Sequence, residues 1–211
     1  MELAAAKMNK LRRADCYKLL AACFCEPEKE LFQEEAVLEN LEELLEEVCP
    51  TAVKFTQTMK DFFDQTEPEE LAVEYAALFV GPFELKAPPY ASVYLENQRK
   101  VMGDSTMETL RLYQEAGLKH DVKEPADHIS IELEFLYYLI SSELEAELQE
   151  DQKESLFLIA HQKKFLNQYL GKWIHPFCES VKKETEKGYY HSLADCLTTF
   201  VNCELNAVNS L

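Results

Sequence analysis

The sequence predicts an all-α fold, and three features predict it. Leucine, glutamate and alanine dominate, while glycine accounts for only 5 residues of 211, a balance that favours helix over sheet. Apolar residues recur at three- and four-residue intervals through successive segments, the spacing that builds one face of a helix. Prolines and glycines fall mainly between these segments, where they stop helices. The expectation is a compact bundle of about eight to ten helices of ordinary length.

Leu11, Ala14, Leu19, Ala22 and Phe24, widened by Tyr17 and Leu20, give a first helix over 7–24, which Pro27 ends. Leu31, Phe32, Val37 and Leu38 belong to a short helix or turn. Leu41, Leu44, Leu45 and Val48 then mark a second face, broken by Pro50. Val53, Phe55, Met59, Phe62 and Phe63 form the next segment. Thr66 and Glu69 have capping-box spacing, with Pro68 in the first turn, where a missing N–H costs little. The helix they open runs to Phe79 and buries Leu71, Tyr75, Leu78 and Phe79.

Residues 80–90 differ. Gly81, Pro82, Pro88 and Pro89 preclude a regular helix, while Phe83, Leu85 and Tyr90 are apolar. This combination predicts a rigid, packed loop, which either carries binding groups or only covers the core. A short helical turn follows at 92–96. Ser105 and Glu108 form a second capping box, ahead of a helix that carries Met107, Leu110, Leu112 and Tyr113. Gly117 is a natural C-cap for it.

Glu124-Pro125-Ala126-Asp127-His128 stands before a strongly apolar run with Ile129, Leu133, Leu136 and Leu139 at helical spacing. Pro125 biases Glu124 away from the helical region, and Asp127 is placed to cap the helix that follows. The chain is therefore read as an N-terminal helical half (1–118), a hinge (119–126) and a C-terminal helical half (127–211). The acidic tail 143–150 of the hinge-proximal helix is expected to project into solvent, with a break near Asp151. Leu156, Ile159, Phe165, Leu166, Tyr169 and Leu170 mark another helix, stopped near Gly171. Trp173, Ile174, Phe177 and Val181 follow, with Pro176 in the first turns of that helix. His191, Leu193, Ala194, Leu197, Phe200, Val201 and Leu205 populate the last one.

Acidic residues outnumber basic ones by 39 to 21, for a formal net charge of −18. Nucleic acid is thereby excluded as a main partner, since a phosphate backbone needs a basic footprint. A basic partner segment would be attracted instead, although much of this charge can simply solvate helix faces. No apolar run is long enough to span a membrane, and the start is too weakly apolar and too acidic for a secretory leader. Seven cysteines, an odd number scattered among helical hydrophobics, suggest free thiols in a reducing compartment, the cytoplasm being simplest.

Motifs for chemistry are absent. There is no P-loop, no glycine-rich dinucleotide fingerprint and no nucleophile elbow. The five histidines have no metal-binding spacing. No catalytic, cofactor or metal residue is therefore assigned, and no cofactor is expected. Asp127 and His128 are adjacent, and neighbours at a helix start rarely point the same way, which argues against a base and its orienter. Carboxylates at such a junction suit guanidinium recognition through paired, charge-assisted bonds; the plainer alternative is a helix cap.

Glu124-Pro-Ala-Asp-His128, followed by Glu132, Leu133 and Phe135, resembles the hinge signature of the redox-enzyme maturation chaperones. These are dedicated cytoplasmic chaperones for molybdenum-containing reductases of the trimethylamine-N-oxide and dimethyl-sulfoxide type. The stretch from Tyr75 to Pro82, continuing through Pro88-Pro89-Tyr90-Ala-Ser92-Val93-Tyr94, is similar to the family's second signature. Arg13, Tyr17, Leu20, Ala21, Phe24 and Pro27 fit its first helix. Trp173, Pro176, Phe177, Tyr189, Tyr190, Leu193 and Ala194 fit its last ones.

The resemblance covers nearly the whole chain. It implies a helical chaperone without turnover, which binds the twin-arginine leader of a reductase catalytic subunit and holds back export until the molybdopterin cofactor is inserted. The residues it points to for the peptide are Glu124, Asp127, His128, Phe83, Tyr90 and Tyr94. Relatives often carry tryptophans in the first half. Here the one tryptophan is Trp173, so Phe83, Tyr90 and Tyr94 would fill those roles. A chaperone of the nitrate-reductase type is the alternative within the family. Outside it stand a small acidic helical enzyme and a structural adaptor. A central hinge also allows two copies to exchange halves, so a minor domain-swapped homodimer is compatible with the sequence.

Overall fold

The computed structural model describes residues 2–81, 85–96 and 101–209. Among these the chain is all-α, with eleven α-helices. They are α1 (Glu2–Cys23), α2 (Lys29–Glu34), α3 (Val37–Val48), α4 (Val53–Gln65), α5 (Pro68–Tyr75) and α6 (Ala91–Leu95). They continue with α7 (Asp104–Glu115), α8 (Ile129–Leu148), α9 (Gln152–Phe165), α10 (Gly171–Glu184) and α11 (Tyr189–Asn209). A 3₁₀ turn, Pro50–Ala52, leads into α4, and wider π-type turns at Ala76–Val80 and Leu166–Leu170 extend α5 and join α9 to α10. An isolated antiparallel bridge between Tyr90 and His128 is the only strand-like pairing among the described residues.

α8 occupies the centre, with α1 and α9 against it. α1 also meets α3, α3 meets α4, and α4 lies along α11, which holds α10. The α1–α8 and α4–α11 contacts both join helices from opposite sides of the 119–126 segment, and one continuous core runs through all of them. Phe24, Phe79, Phe177 and Tyr190 meet at its middle, with ring centroids 5.6–6.2 Å apart. Burying each such side chain contributes about 1.5–3 kcal/mol. Arg13 on α1 donates twice to Glu204 on α11, from Nε at 2.9 Å and from Nη2 at 2.8 Å, and the Tyr17 hydroxyl donates to the same carboxylate at 3.2 Å.

Several local expectations are corrected by the partners that side chains find. The Thr66 hydroxyl turns back to the Phe62 carbonyl at 2.6 Å, so the first capping box is not made. In place of Glu108, Glu96 receives both the backbone N–H and the hydroxyl of Ser105, at 2.9 and 2.6 Å. Gly117 does end α7 in the left-handed region, with φ +82°. The 143–150 tail is exposed on one side only, at Glu145 and over 148–150. Glu143 and Ala146 are buried, and Glu143 takes Lys10 from α1 and Gln162 from α9 at 2.7 Å. Leu156 and Ile159 are exposed instead, while Leu158 and Phe165 fill the core.

Gly171 does not stop a helix. It starts α10 from a π-type turn so tight that a Cβ there would run into the Leu166 carbonyl oxygen. The thiols are not all free either. Cys49, at the end of α3, is disulfide-bonded to Cys203 on α11, with Cα atoms 6.3 Å apart. A separation of 154 residues hides that proximity from any reading of spacing. Cys16, Cys23, Cys178 and Cys196 are free and buried. Burial pushes Cys23 and Cys178 up to about 12, which keeps them as thiols. Among the described residues no group of His, Cys, Asp or Glu is arranged to hold a metal ion, and no helix is long and apolar enough to cross a membrane.

Candidate functional site

The start of α8 is where the proline-rich loop meets the 119–128 segment. Pro125 closes a turn there, its carbonyl accepting the His128 N–H at 3.0 Å. His128, with φ −70° and ψ 140°, is the N-cap of α8, and its Nδ1 accepts the Ser130 N–H at 3.2 Å. The Ser130 hydroxyl also meets Nδ1, at 2.8 Å. Asp127 points the other way. It is fully buried, and its Oδ2 accepts the Ser92 N–H at 2.8 Å. Asp127 thus caps α6, not α8, which corrects the expectation drawn from its place before the apolar run. A residue just ahead of a helix has non-helical backbone, so successive side chains there diverge, and His128 is the one that faces its own helix.

Backbone bonds complete the join. The Ala91 N–H donates to the Asp127 carbonyl at 3.0 Å, and the Ile129 N–H to the Pro89 carbonyl at 2.9 Å. The loop is thereby held against residues 127–129 like a short strand pair, with the Asp127 side chain turned to Ser92. Tyr90 lies outside. Its hydroxyl donates to Glu124 Oε2 at 3.2 Å, and its ring meets the His128 imidazole edge-on at 5.3 Å.

These groups border a cleft of about 250 Å³. One wall is the end of α1 and the residues after it: Phe24, Cys25 and Glu26. A second is Tyr75, Phe79 and Val80 from α5 and its extension. Leu85 and Tyr90 come from the loop, Glu124 from the segment before α8, and His128 and Ser130 from the start of α8. Val80 is 59% exposed. The charged side chains on the walls, Glu26 and Glu124, are both acidic, and no lysine or arginine is among the described residues that line the cleft.

Titrating groups respond to that environment. Burial, and then Glu124, pushes the Tyr90 hydroxyl up to about 12. Burial, followed by Cys25, Glu124 and Glu26, does the same for Tyr75. Burial lowers His128 below its ordinary 6.5 in spite of Glu124 and Asp127, so the imidazole is neutral near pH 7 and free to accept the Ser130 N–H. Behind the cleft, Glu132 is fully buried and accepts the Trp173 indole N–H at 2.9 Å. Burial drives its carboxyl well above the usual range, with Asp127 reinforcing the shift.

Of the six residues that the sequence nominates, Glu124, Tyr90 and His128 come together on the cleft. Asp127 sits under it. The Tyr94 ring stacks on Trp173 at 5.8 Å, outside the lining. Phe83 lies outside the described residues. Sequence reasoning did not nominate Cys25, Glu26 or Ser130 for the peptide, and it placed Tyr75 and Phe79 on the core and in the family's second signature without assigning them to a site. Pro27, which marks the end of α1, was the available signal that the preceding residues would be presented at a helix end.

The chain matches a family model described as "Nitrate reductase delta subunit" over residues 41–179. It is 31% identical over 210 residues to a chaperone protein TorD of Vibrio atlanticus, an alignment covering 92% of this chain and 93% of that one. A chaperone protein TorD of Vibrio parahaemolyticus is 32% identical over 167 residues, covering 77% and 74% of the two chains. Among solved structures, a proposed redox enzyme maturation protein from Archaeoglobus fulgidus superposes with a TM-score of 0.58. It shares 27% identity and covers 90% of this chain and 93% of its own.

Proposed function

The chain belongs to the nitrate reductase delta subunit family of molybdoenzyme maturation chaperones, and from that premise we propose that the cleft beside the hinge binds the arginine-bearing leader of a reductase catalytic subunit. The observation that carries the reading is the lining itself: carboxylates at Glu26 and Glu124, aromatic walls, and no cation among the described lining residues. A leader offers the complement, a guanidinium followed by apolar side chains. Glu124 is exposed, and among the described residues its side chain holds only the Tyr90 hydroxyl, so it can exchange that bond for a bidentate pair with arginine. Phe24, Phe79, Val80 and Leu85 then offer apolar surface beside the charge. Asp127 serves from below, by holding the loop against the hinge. His128 shapes the floor as a neutral cap.

The protein acts in this reading as a cytoplasmic chaperone that occupies the leader until the molybdopterin cofactor is in place, with neither nucleic acid nor a membrane as partner. Calorimetry with a trimethylamine-N-oxide or dimethyl-sulfoxide reductase leader tests it. Micromolar affinity, roughly −8 kcal/mol, is expected. Replacing both arginines by lysine, or Glu124 by glutamine, should weaken binding at least fivefold without changing the melting temperature. Absence of binding to such leaders overturns the reading. The family description favours one rival client, the N-terminal segment of a nitrate reductase catalytic subunit, and the same titration with that peptide separates the two.

A further inference from the structure

Cys49 and Cys203 are joined, while the other five cysteines of the chain are free thiols. The two partners come from opposite sides of the 119–126 segment. Cys49 closes α3 and opens the 3₁₀ turn Pro50–Ala52, and Cys203 lies toward the end of α11, 154 residues later. The bond therefore ties the first half of the chain to the second. The same region is also held by packing and by charge. The 3₁₀ turn and α4 lie directly on α11, and the Arg13 guanidinium holds Glu204, one residue along from Cys203. Opening the bond leaves those contacts in place.

The surroundings of the bond suit its opening as well as its closure. Cys49 is buried, whereas Cys203 is partly exposed. Thr51 is exposed and stands beside both sulfurs, with its Oγ1 3.5 Å from Cys49 Sγ and 3.8 Å from Cys203 Sγ. An incoming thiolate reaches Cys203 from solvent, and access decides which sulfur is attacked. The Thr51 hydroxyl is placed to donate to the Cys49 sulfur as it leaves. The Thr199 carbonyl, 3.8 Å from Cys49 Sγ, then accepts the S–H of the reduced residue. The buried thiol finds a partner where its sulfur already sits.

Resting on the cytoplasmic reading above, we infer that Cys49–Cys203 is a reversible redox lock between the two halves of the chain, set by the thiol–disulfide poise around the protein. A disulfide in a reducing compartment is usually transient and redox-sensing, not structural. One small thiolate attacks Cys203 Sγ, and the S–S bond breaks with Cys49 leaving as thiolate. A second small thiolate attacks the outer sulfur of the mixed disulfide and releases Cys203. Two small thiols are thereby oxidised to one small disulfide, their two protons pass to Cys49 and Cys203, and the protein bond takes up two electrons. Closure is the reverse. The closed bond spans a long loop, which restricts the unfolded chain and favours the docked halves.

A glutathione titration on the full-length protein tests this. The protein is equilibrated at a series of ratios of reduced to oxidised glutathione and quenched with acid, and its thiols are labelled and mapped by mass spectrometry. Labelling of Cys49 and Cys203 should rise together with the ratio, with a mixed disulfide at Cys203 as the intermediate. Labelling of Cys16, Cys23, Cys178 and Cys196 should not follow it. Urea denaturation at the two extremes should give a lower midpoint for the reduced protein, with an unfolding equilibrium constant at least about tenfold larger. Cys203→Ser is nearly isosteric at a partly exposed position. It should keep the fold, which a thermal melt checks, and give one midpoint at every ratio, equal to that of the reduced parent. Should the variant fail to fold, the reduced and oxidised parent supply the comparison.

A bond that persists in reduced glutathione alone is structural and overturns the inference. Full labelling of Cys49 and Cys203 in oxidised glutathione overturns it too, since no bond then forms. So do equal urea midpoints in the two states, since the bond then ties nothing. None of these measurements uses a leader, so failure of the leader reading shows separately, as absence of leader binding in both states.

Discussion

Asp127 offers the sharpest test of how the site is built. Its Oδ2 is the acceptor for the Ser92 N–H at 2.8 Å, both residues are fully buried, and its other oxygen, Oδ1, has no hydrogen-bond partner among the described residues. Asp127→Ala removes a charge-assisted bond and strands a buried N–H at the start of α6. The bond contributes about 1.5–3 kcal/mol, and a lost cap by itself costs about 0.5–2 kcal/mol, so the two describe one contact and are not summed. A loss of about 2–3 kcal/mol is expected. For a chain of this size each kcal/mol moves the melting temperature by about 2–4 °C, giving a fall of about 4–12 °C.

Asp127→Asn behaves differently. The amide oxygen still accepts from Ser92, and a buried charge is removed, so the cost stays below about 1 kcal/mol. Urea denaturation of the parent and both variants, fitted with a common slope, measures the two differences. Equal losses in the alanine and asparagine variants would refute the argument, because the charge and not the acceptor would then matter. A loss under about 0.5 kcal/mol in Asp127→Ala would show that the loop is held by the backbone bonds alone.

Glu132 links stability to pH. Burial raises its carboxyl well above the ordinary 4.5, so above that value the folded state holds a proton that the unfolded chain gives up. Its contribution is complete below about 4.5 and is lost as pH rises toward the folded value. Glu132→Gln, which still accepts from Trp173, should flatten that part of the stability profile measured by urea titration between pH 5 and 8. Arg13→Leu leaves Glu204 buried without its bidentate partner and should cost about 3–5 kcal/mol in the same assay. Arg13→Leu with Glu204→Leu should recover much of that loss, since an apolar pair needs no compensation. Gly171→Ala is expected to destabilise by about 1–3 kcal/mol in spite of the helical backbone there, because the new Cβ meets the Leu166 carbonyl, and a thermal melt reads it directly.

Much of this protein was legible one residue at a time. The all-α class followed from apolar periodicity and scarce glycine, because a helix buries one face with a period that local sequence carries on its own. Breaks at Pro27, Pro50 and Gly117 came from backbone chemistry, which is equally local. The resemblance carried by Glu124–His128 and Tyr75–Tyr94 pointed to the family and to the junction where the cleft lies. What the tertiary structure decided is which partners the polar groups found. Asp127 reaches Ser92, 35 residues away, and Glu96 takes the role expected of Glu108. Glu143 turns inward to Lys10 and Gln162, and Cys49 meets Cys203. The acidic cleft is assembled from α1, α5, the proline-rich loop and α8, so no single stretch could display it. The physical reason is common to all of these. Apolar burial is non-directional and follows local periodicity, whereas hydrogen bonds, ion pairs and disulfides need a partner at fixed distance and angle, and only the packed helices bring it there.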